Sequence, residues 1–128
     1  DPGNVGTLLR TADAFGVAVA LSPGCADPVS PRALRASAGA IFRVPLVDWE
    51  ALSGTRIALV AHGGASLESS DLDPPLTLLL GAEREGLPDD LVAQSHKVTI
   101  ALPGTAESLN VAAAGAIALY ELSRRSRT

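Results

Sequence analysis

An α/β domain with a largely parallel sheet is the fold class this sequence predicts, and three observations carry it. Short apolar runs bounded by Gly, Pro, Asp and Ser alternate with helical patterns along the chain. Those runs are apolar almost throughout rather than at every second position, as strands covered on both faces require. Hydrophobic residues make up 47% of the 128 but aromatic ones only 3%, so the core is built from Ala, Val, Leu and Ile with small residues allowing close backbone approach.

In chain order, strands are expected over 17–21, 42–47, 56–61, 76–80 and 98–102, and helices over 5–15, 31–37, 49–52, 88–94 and 109–124. The length is that of one domain, 1–128. In the first helix Asn4 is read as the N-cap, Val5, Leu8, Leu9, Ala12 and Phe15 form an apolar stripe, and Gly16 is the stop. Thr7 and Arg10 fall off that stripe and are expected to face a loop or cleft. The last helix is apolar or small all round from Val111 to Leu119, which predicts burial on most sides. Gly115 within it marks close packing against a neighbour, a place open to a second subunit. Trp49 is read as an anchor for a short helix.

Charge and special residues narrow the function classes. The formal net charge of −4 argues against a chain that grips nucleic acid over its whole surface. Arg32, Arg35 and Arg43 form a local cluster, and Arg124, Arg125 and Arg127 read as a frayed cationic helix end matching the helix dipole. The single Cys25 has no disulfide partner and suits a reducing cytoplasm. His62 and His96 lie far apart with no metal-ligand spacing around them, so no metal is expected. No apolar run has membrane-spanning length, and no leader pattern opens the chain. With no Met and an opening Asp1-Pro2-Gly3 turn, the sequence is read as a piece of a longer protein.

Three loops carry chemistry. The first, Asp1-Pro2-Gly3-Asn4-Val5-Gly6 leading to Arg10, offers an amide and a fixed cation, although alone it equally describes a capped surface helix. It matches neither the P-loop nor the dinucleotide glycine fingerprint. The second, Gly81 through Pro88, places Glu83 and Glu85 at the mouth of an apolar strand, either as a ligand rim or as a polar turn before the next helix. The third, Pro103 through Asn110, joins an apolar strand to the last helix, and a helix cap accounts for Ser108 or Asn110 but not for both.

Together these loops resemble the three motifs of the SpoU, or TrmH-like, branch of the SPOUT methyltransferases. Motif one corresponds to Asn4-Val5-Gly6 through Arg10, Thr11 and Ala12, with Ser37-Ala38-Gly39-Ala40 as companion. Motif two corresponds to Leu80-Gly81-Ala82-Glu83 with Gly86-Leu87, and motif three to Ile100-Ala101-Leu102 followed by Ser108-Leu109-Asn110-Val111-Ala112. The resemblance spans almost the whole chain. It implies a parallel sheet flanked by helices whose C-terminal part forms a deep trefoil knot, which general connectivity rules alone do not lead to. It further implies S-adenosylmethionine as methyl donor, rRNA or tRNA as substrate, transfer to a ribose 2′-hydroxyl, a homodimer and a cytoplasmic setting.

Carried over by position, Gly81, Ile100, Leu102 and Leu109 are expected to bind the cofactor, and Asn4, Arg10, Glu83, Ser108 and Asn110 to be the polar residues of the active site, completed by Arg10 of the partner subunit. The sequence lacks the apolar strand that usually precedes the first motif and the separate N-terminal RNA-binding domain of many members, and Ala101 stands where Pro is common. The rival readings are a non-catalytic RNA-binding or dimerisation module on the same fold and a Rossmann-type oxidoreductase. Retention of all five polar residues favours the enzyme, and the missing glycine fingerprint disfavours the oxidoreductase. Cys25 is assigned no chemistry, and His62 is read as part of the His62-Gly63-Gly64 turn, with cofactor contact at that strand end as the lesser alternative.

Overall fold

Asp1, not Asn4, caps the first helix. In the computed structural model, which describes residues 1–52, 54–70, 74–82, 86–106 and 108–126, helix α1 runs Pro2–Phe15 and the Asp1 carboxylate accepts from the Gly3 N–H at 2.7 Å. Pro2 occupies the first turn, where its fixed φ suits a helix and its missing N–H costs nothing. Reading Gly3 and Gly6 as loop residues hid this start. Gly6 is instead buried inside the helix, because a Cβ there would run into the Ala33 carbonyl and lie 2.7 Å from Ala36 Cβ. That close approach packs α1 against helix α2, Pro31–Ser37, itself capped by Ser30. Gly16, at φ 68°, ends α1 as the sequence indicates.

The chain divides into two compact units, Asp1–Leu52 and Ser53–Thr128. In the first, Leu9, Ala12, Ala40 and Val44 are buried together, with Val5, Val17, Val19 and Ile41 packed around them. The strands expected over 17–21 and 42–47 shrink to one parallel bridge, Val19 opposite Leu46. Two bonds make it, Val19 N–H to Pro45 O and Val47 N–H to Val19 O, both 2.9 Å. Pro45 has no N–H to extend the ladder, and Ala40–Phe42 coils into a 3₁₀ turn. Trp49 is half-buried in a second such turn, Trp49–Ala51. Arg43 is held by Asp13 at 2.8 Å, and this hydrogen-bonded carboxylate raises the guanidinium pKa further above its ordinary value.

The second unit holds a four-stranded parallel sheet in the order β2-β4-β1-β3. The strands are β1 Thr55–Leu59, β2 Ala65–Ser66, β3 Leu76–Leu79 and β4 His96–Thr99. Ile57 stands opposite Leu78 on one side and His96 on the other. Strand β4 therefore starts two polar residues earlier than its apolar run, since backbone register rather than polarity sets the pairing. Strand β2, only two residues long, gives no readable alternation and was not expected. Helix α3, Asp89–Ala93, leads into β4, and helix α4 spans Val111–Ser126. On one face of the sheet Ile57, Leu67, Val98 and Ala118 of α4 are buried, flanked by Leu59, Leu76, Leu78, Ile100 and Leu122. Each fully buried Ile or Val stabilises the fold by roughly 1.5–3 kcal/mol.

Helix α4 is less enclosed than its composition implies. Ala112, Gly115 and Ala118 face inward, whereas Ala113, Ile117 and Tyr120 are exposed, the last at 54%. At Arg124 and Arg125 its C-terminal turn is anchored rather than frayed, while Arg127 lies outside the described residues. Glu121 accepts from Arg124 at 2.8 and 3.1 Å and from Arg125 at 3.1 Å. Arg125 in turn donates to the carbonyls of Leu67 and Ser70 at the 3₁₀ turn Leu67–Ser69.

The hydrogen bonds from Arg124 and Arg125 pull the Glu121 pKa from 4.5 down to about 2. A lowered carboxylate pKa contributes stability that is fully present above pH 4.5 and lost as the pH falls towards 2. Glu121→Gln should therefore melt below the wild type at pH 7, with the gap closing as melts are repeated towards pH 3. Parallel acid profiles for the two proteins would remove Glu121 from the anchor.

Candidate active site

Parallel strands bring their carboxyl ends to one edge of a sheet, where open α/β sheets bind ligands. Here the chain leaving β1 supplies Val60, Ala61 and His62, the chain leaving β3 supplies Leu80, Gly81 and Ala82, and the chain leaving β4 supplies Ile100 and Leu102. Ser108, Leu109, Asn110, Val111 and Ala114 close the space from the start of α4, and Asp89 and Val92 reach it from α3. The result is a cleft of about 580 Å³ within the second unit. Its lining combines apolar side chains with the polar groups of His62, Asp89, Lys97, Ser108 and Asn110, the two ingredients a small-molecule site uses.

The glycine at the end of β3 is dictated by packing. A Cβ on Gly81 would lie 2.5 Å from Leu87 N and closer still to the Gly86 carbonyl carbon. Gly86 pairs with Ala82 through a 2.9 Å bond from its N–H to the Ala82 carbonyl, and adopts φ 67°. Motif two thus folds its two glycines against each other at the mouth of the cleft.

The third loop separates the duties of its two polar residues. Asn110 is the cap of α4, its Oδ1 accepting from Ala112 N at 2.8 Å and Ala113 N at 3.2 Å. This fixes its side chain at the rim, and it explains why α4 begins two residues later than the apolar pattern. Ser108, exposed on the same rim, is left with no capping duty of that kind to explain it.

Gly81 from the second loop and Ile100, Leu102, Ser108, Leu109 and Asn110 from the third motif therefore line one cleft. Asn4 and Arg10 stand on α1 of the first unit, half-buried and exposed respectively, and are not among its lining residues. Thr7 and Arg10 do face away from the buried stripe, as their spacing indicates. Glu83 lies outside the described residues. His62, read from sequence as a turn residue with cofactor contact at the strand end as the lesser alternative, lies in the bend after β1 and lines the cleft. Asp89 and Lys97, which also line it, carried no sequence signal. Among the described residues no three His, Cys, Asp or Glu side chains are grouped to hold a metal, and no helix is long and apolar enough to cross a membrane.

Comparison with known proteins places this architecture. The model of the SpoU rRNA methylase family matches residues 1–120. A 23S rRNA (uridine(2479)-2′-O)-methyltransferase of Streptomyces viridochromogenes is 35% identical, the match covering 97% of this chain and 49% of that protein. A 23S rRNA (guanosine(2553)-2′-O)-methyltransferase of Bacillus subtilis is 36% identical over 95% of this chain and 54% of its own length. Among solved structures, an rRNA methyltransferase from Sinorhizobium meliloti with AdoMet bound superposes with a TM-score of 0.89 and 34% identity, covering 100% of this chain and 53% of that one. The chain spans about half the length of the curated relatives it matches. With a family match across nearly its full length and a parallel sheet ending in this cleft, the chain belongs to the SpoU rRNA methylase family.

Proposed function

We propose that this chain is the S-adenosylmethionine-binding catalytic domain of an enzyme that methylates a ribose 2′-hydroxyl of ribosomal or transfer RNA. The observation that carries this reading is the convergence of Gly81, Ile100, Leu102, Leu109, Ser108 and Asn110 on one cleft. A space of about 580 Å³ lined by both apolar and polar groups fits an adenosine-sized ligand. The relatives' names and the AdoMet-bound neighbour support the same cofactor and substrate class.

In this reading Gly81, Ile100, Leu102 and Leu109 hold the donor through backbone groups and apolar contact. When bound, the sulfonium supplies an already activated methyl group, so the protein's task is positioning, exclusion of water and charge stabilisation. Ser108 and Asn110 hold the geometry at the rim, Asn110 oriented by its capping bonds. Arg10 is assigned to the phosphate beside the target ribose and to the developing alkoxide. A guanidinium stays protonated in proteins, which suits it for charge stabilisation and not for proton abstraction, so the ribose hydroxyl proton leaves to solvent at the open rim. Asn4 and Glu83 complete the polar set by their positions in the motifs.

The same reading includes the knotted threading, for which the insertion of β4 between the earlier strands β1 and β2 is support. It includes a homodimer, for which the exposed Ile117 and Tyr120 of α4 are support. A cytoplasmic setting follows from the substrate class.

Calorimetric titration of the folded chain should show saturable binding of S-adenosylmethionine and none of NAD, and sedimentation at micromolar concentration should show a dimer. A well-folded dimer that binds no methyl donor would instead be a non-catalytic module. A monomer would remove the interface role of α4.

A further inference from the structure

The wall formed by Val60, Ala61 and His62 belongs to no element. Strand β1 has ended at Leu59, and β2 does not begin until Ala65. One residue outside the cleft lining ties that wall down. Thr99, last in β4, donates its hydroxyl proton to the Val60 carbonyl at 3.0 Å and accepts the Gly64 N–H on the same oxygen at 3.0 Å. A hydroxyl both donates and accepts, so one side chain holds both ends of the segment that contains Ala61, His62 and Gly63. The Val60 N–H bond to Val98 O, at 2.9 Å, is the adjoining ladder contact.

Gly64 is a matched part of this clamp. A Cβ there would lie 2.6 Å from the Val98 carbonyl carbon and 2.7 Å from Thr99 Oγ1, so the amide reaches the hydroxyl only because position 64 carries no side chain. Gly63, at φ 82°, lets the intervening turn close.

We propose that Thr99 is a positioning residue for the methyl donor, fixing the Val60–His62 wall of the cleft from behind. This rests on the proposed function. Replacement by Val keeps the side-chain shape and strand preference but leaves the Gly64 N–H and the Val60 carbonyl without their shared partner. Ser keeps the hydroxyl.

In the full chain, Thr99→Val should weaken S-adenosylmethionine binding by roughly tenfold. It should raise the donor KM with little change in kcat, and speed hydrogen exchange at the Gly64 amide. Thr99→Ser should restore affinity and amide protection to near wild type. Gly64→Ala, which pushes the same segment off Thr99 from the other side, should reproduce the loss and serves where Thr99→Val does not fold. Unchanged donor affinity in Thr99→Val, or in Gly64→Ala, while the wild type binds, would overturn the inference alone. A wild-type protein that binds no donor would overturn the proposed function and this role with it.

Discussion

Gly81→Ala is expected to cut affinity for S-adenosylmethionine by about 10- to 100-fold, the equivalent of the roughly 1–3 kcal/mol that overpacking a close contact costs. The added methyl would meet backbone, at Gly86 and Leu87, rather than the movable end of a side chain. Either the strand end or the Gly86–Leu87 peptide must then move, and both line the cleft. Relief through Gly86 is restricted, because its pairing with Ala82 and its φ of 67° fix that side of the loop. Gly104→Ala is the matched control, since a Cβ there meets nothing within 4 Å. Titration calorimetry with circular dichroism on both variants separates loss of binding from loss of fold. Near-wild-type affinity in a folded Gly81→Ala protein would contradict the packing argument and weaken the case for this cleft as the donor site.

What the sequence disclosed divides along physical lines. Residues whose role depends on local geometry were legible, such as Gly16 as a helix stop, the off-stripe placement of Arg10, and the apolar runs that became β1 and β3. Residues whose role depends on a distant partner were not. Gly6 reads as a loop glycine until α2 is seen against it, and His96, left between the expected helix and strand, joins β4 only through its register opposite Ile57. The Arg125 anchor, which crosses more than fifty residues to Ser70, leaves no mark in local composition. The site shows the same division. Ser108 and Asn110 were identified as a pair too many for one cap, and the capping bonds assign that duty to Asn110. Thr99 sits inside an apolar run and says nothing until Val60 and Gly64 are seen on either side of its hydroxyl.

Arg10→Lys is expected to lower turnover by about 10²–10³-fold, the usual cost of removing a donor that stabilises developing charge, with donor affinity and thermal stability unchanged. The stability half follows from position. Arg10 is exposed on α1, while Gly6, Leu9 and Ala12 make the buried contacts. Lys preserves the charge and most of the length, so long-range attraction for RNA phosphates and its salt dependence should persist. What Lys cannot reproduce is the planar fork that bridges two oxygens in fixed geometry. If Arg10 only held RNA, the substitution would raise the KM for RNA and leave kcat intact. If it stabilises the alkoxide as proposed, kcat falls and the KM for RNA moves little. Single-turnover methylation at saturating donor and RNA distinguishes the two outcomes, and near-normal turnover would remove the guanidinium from the chemical step.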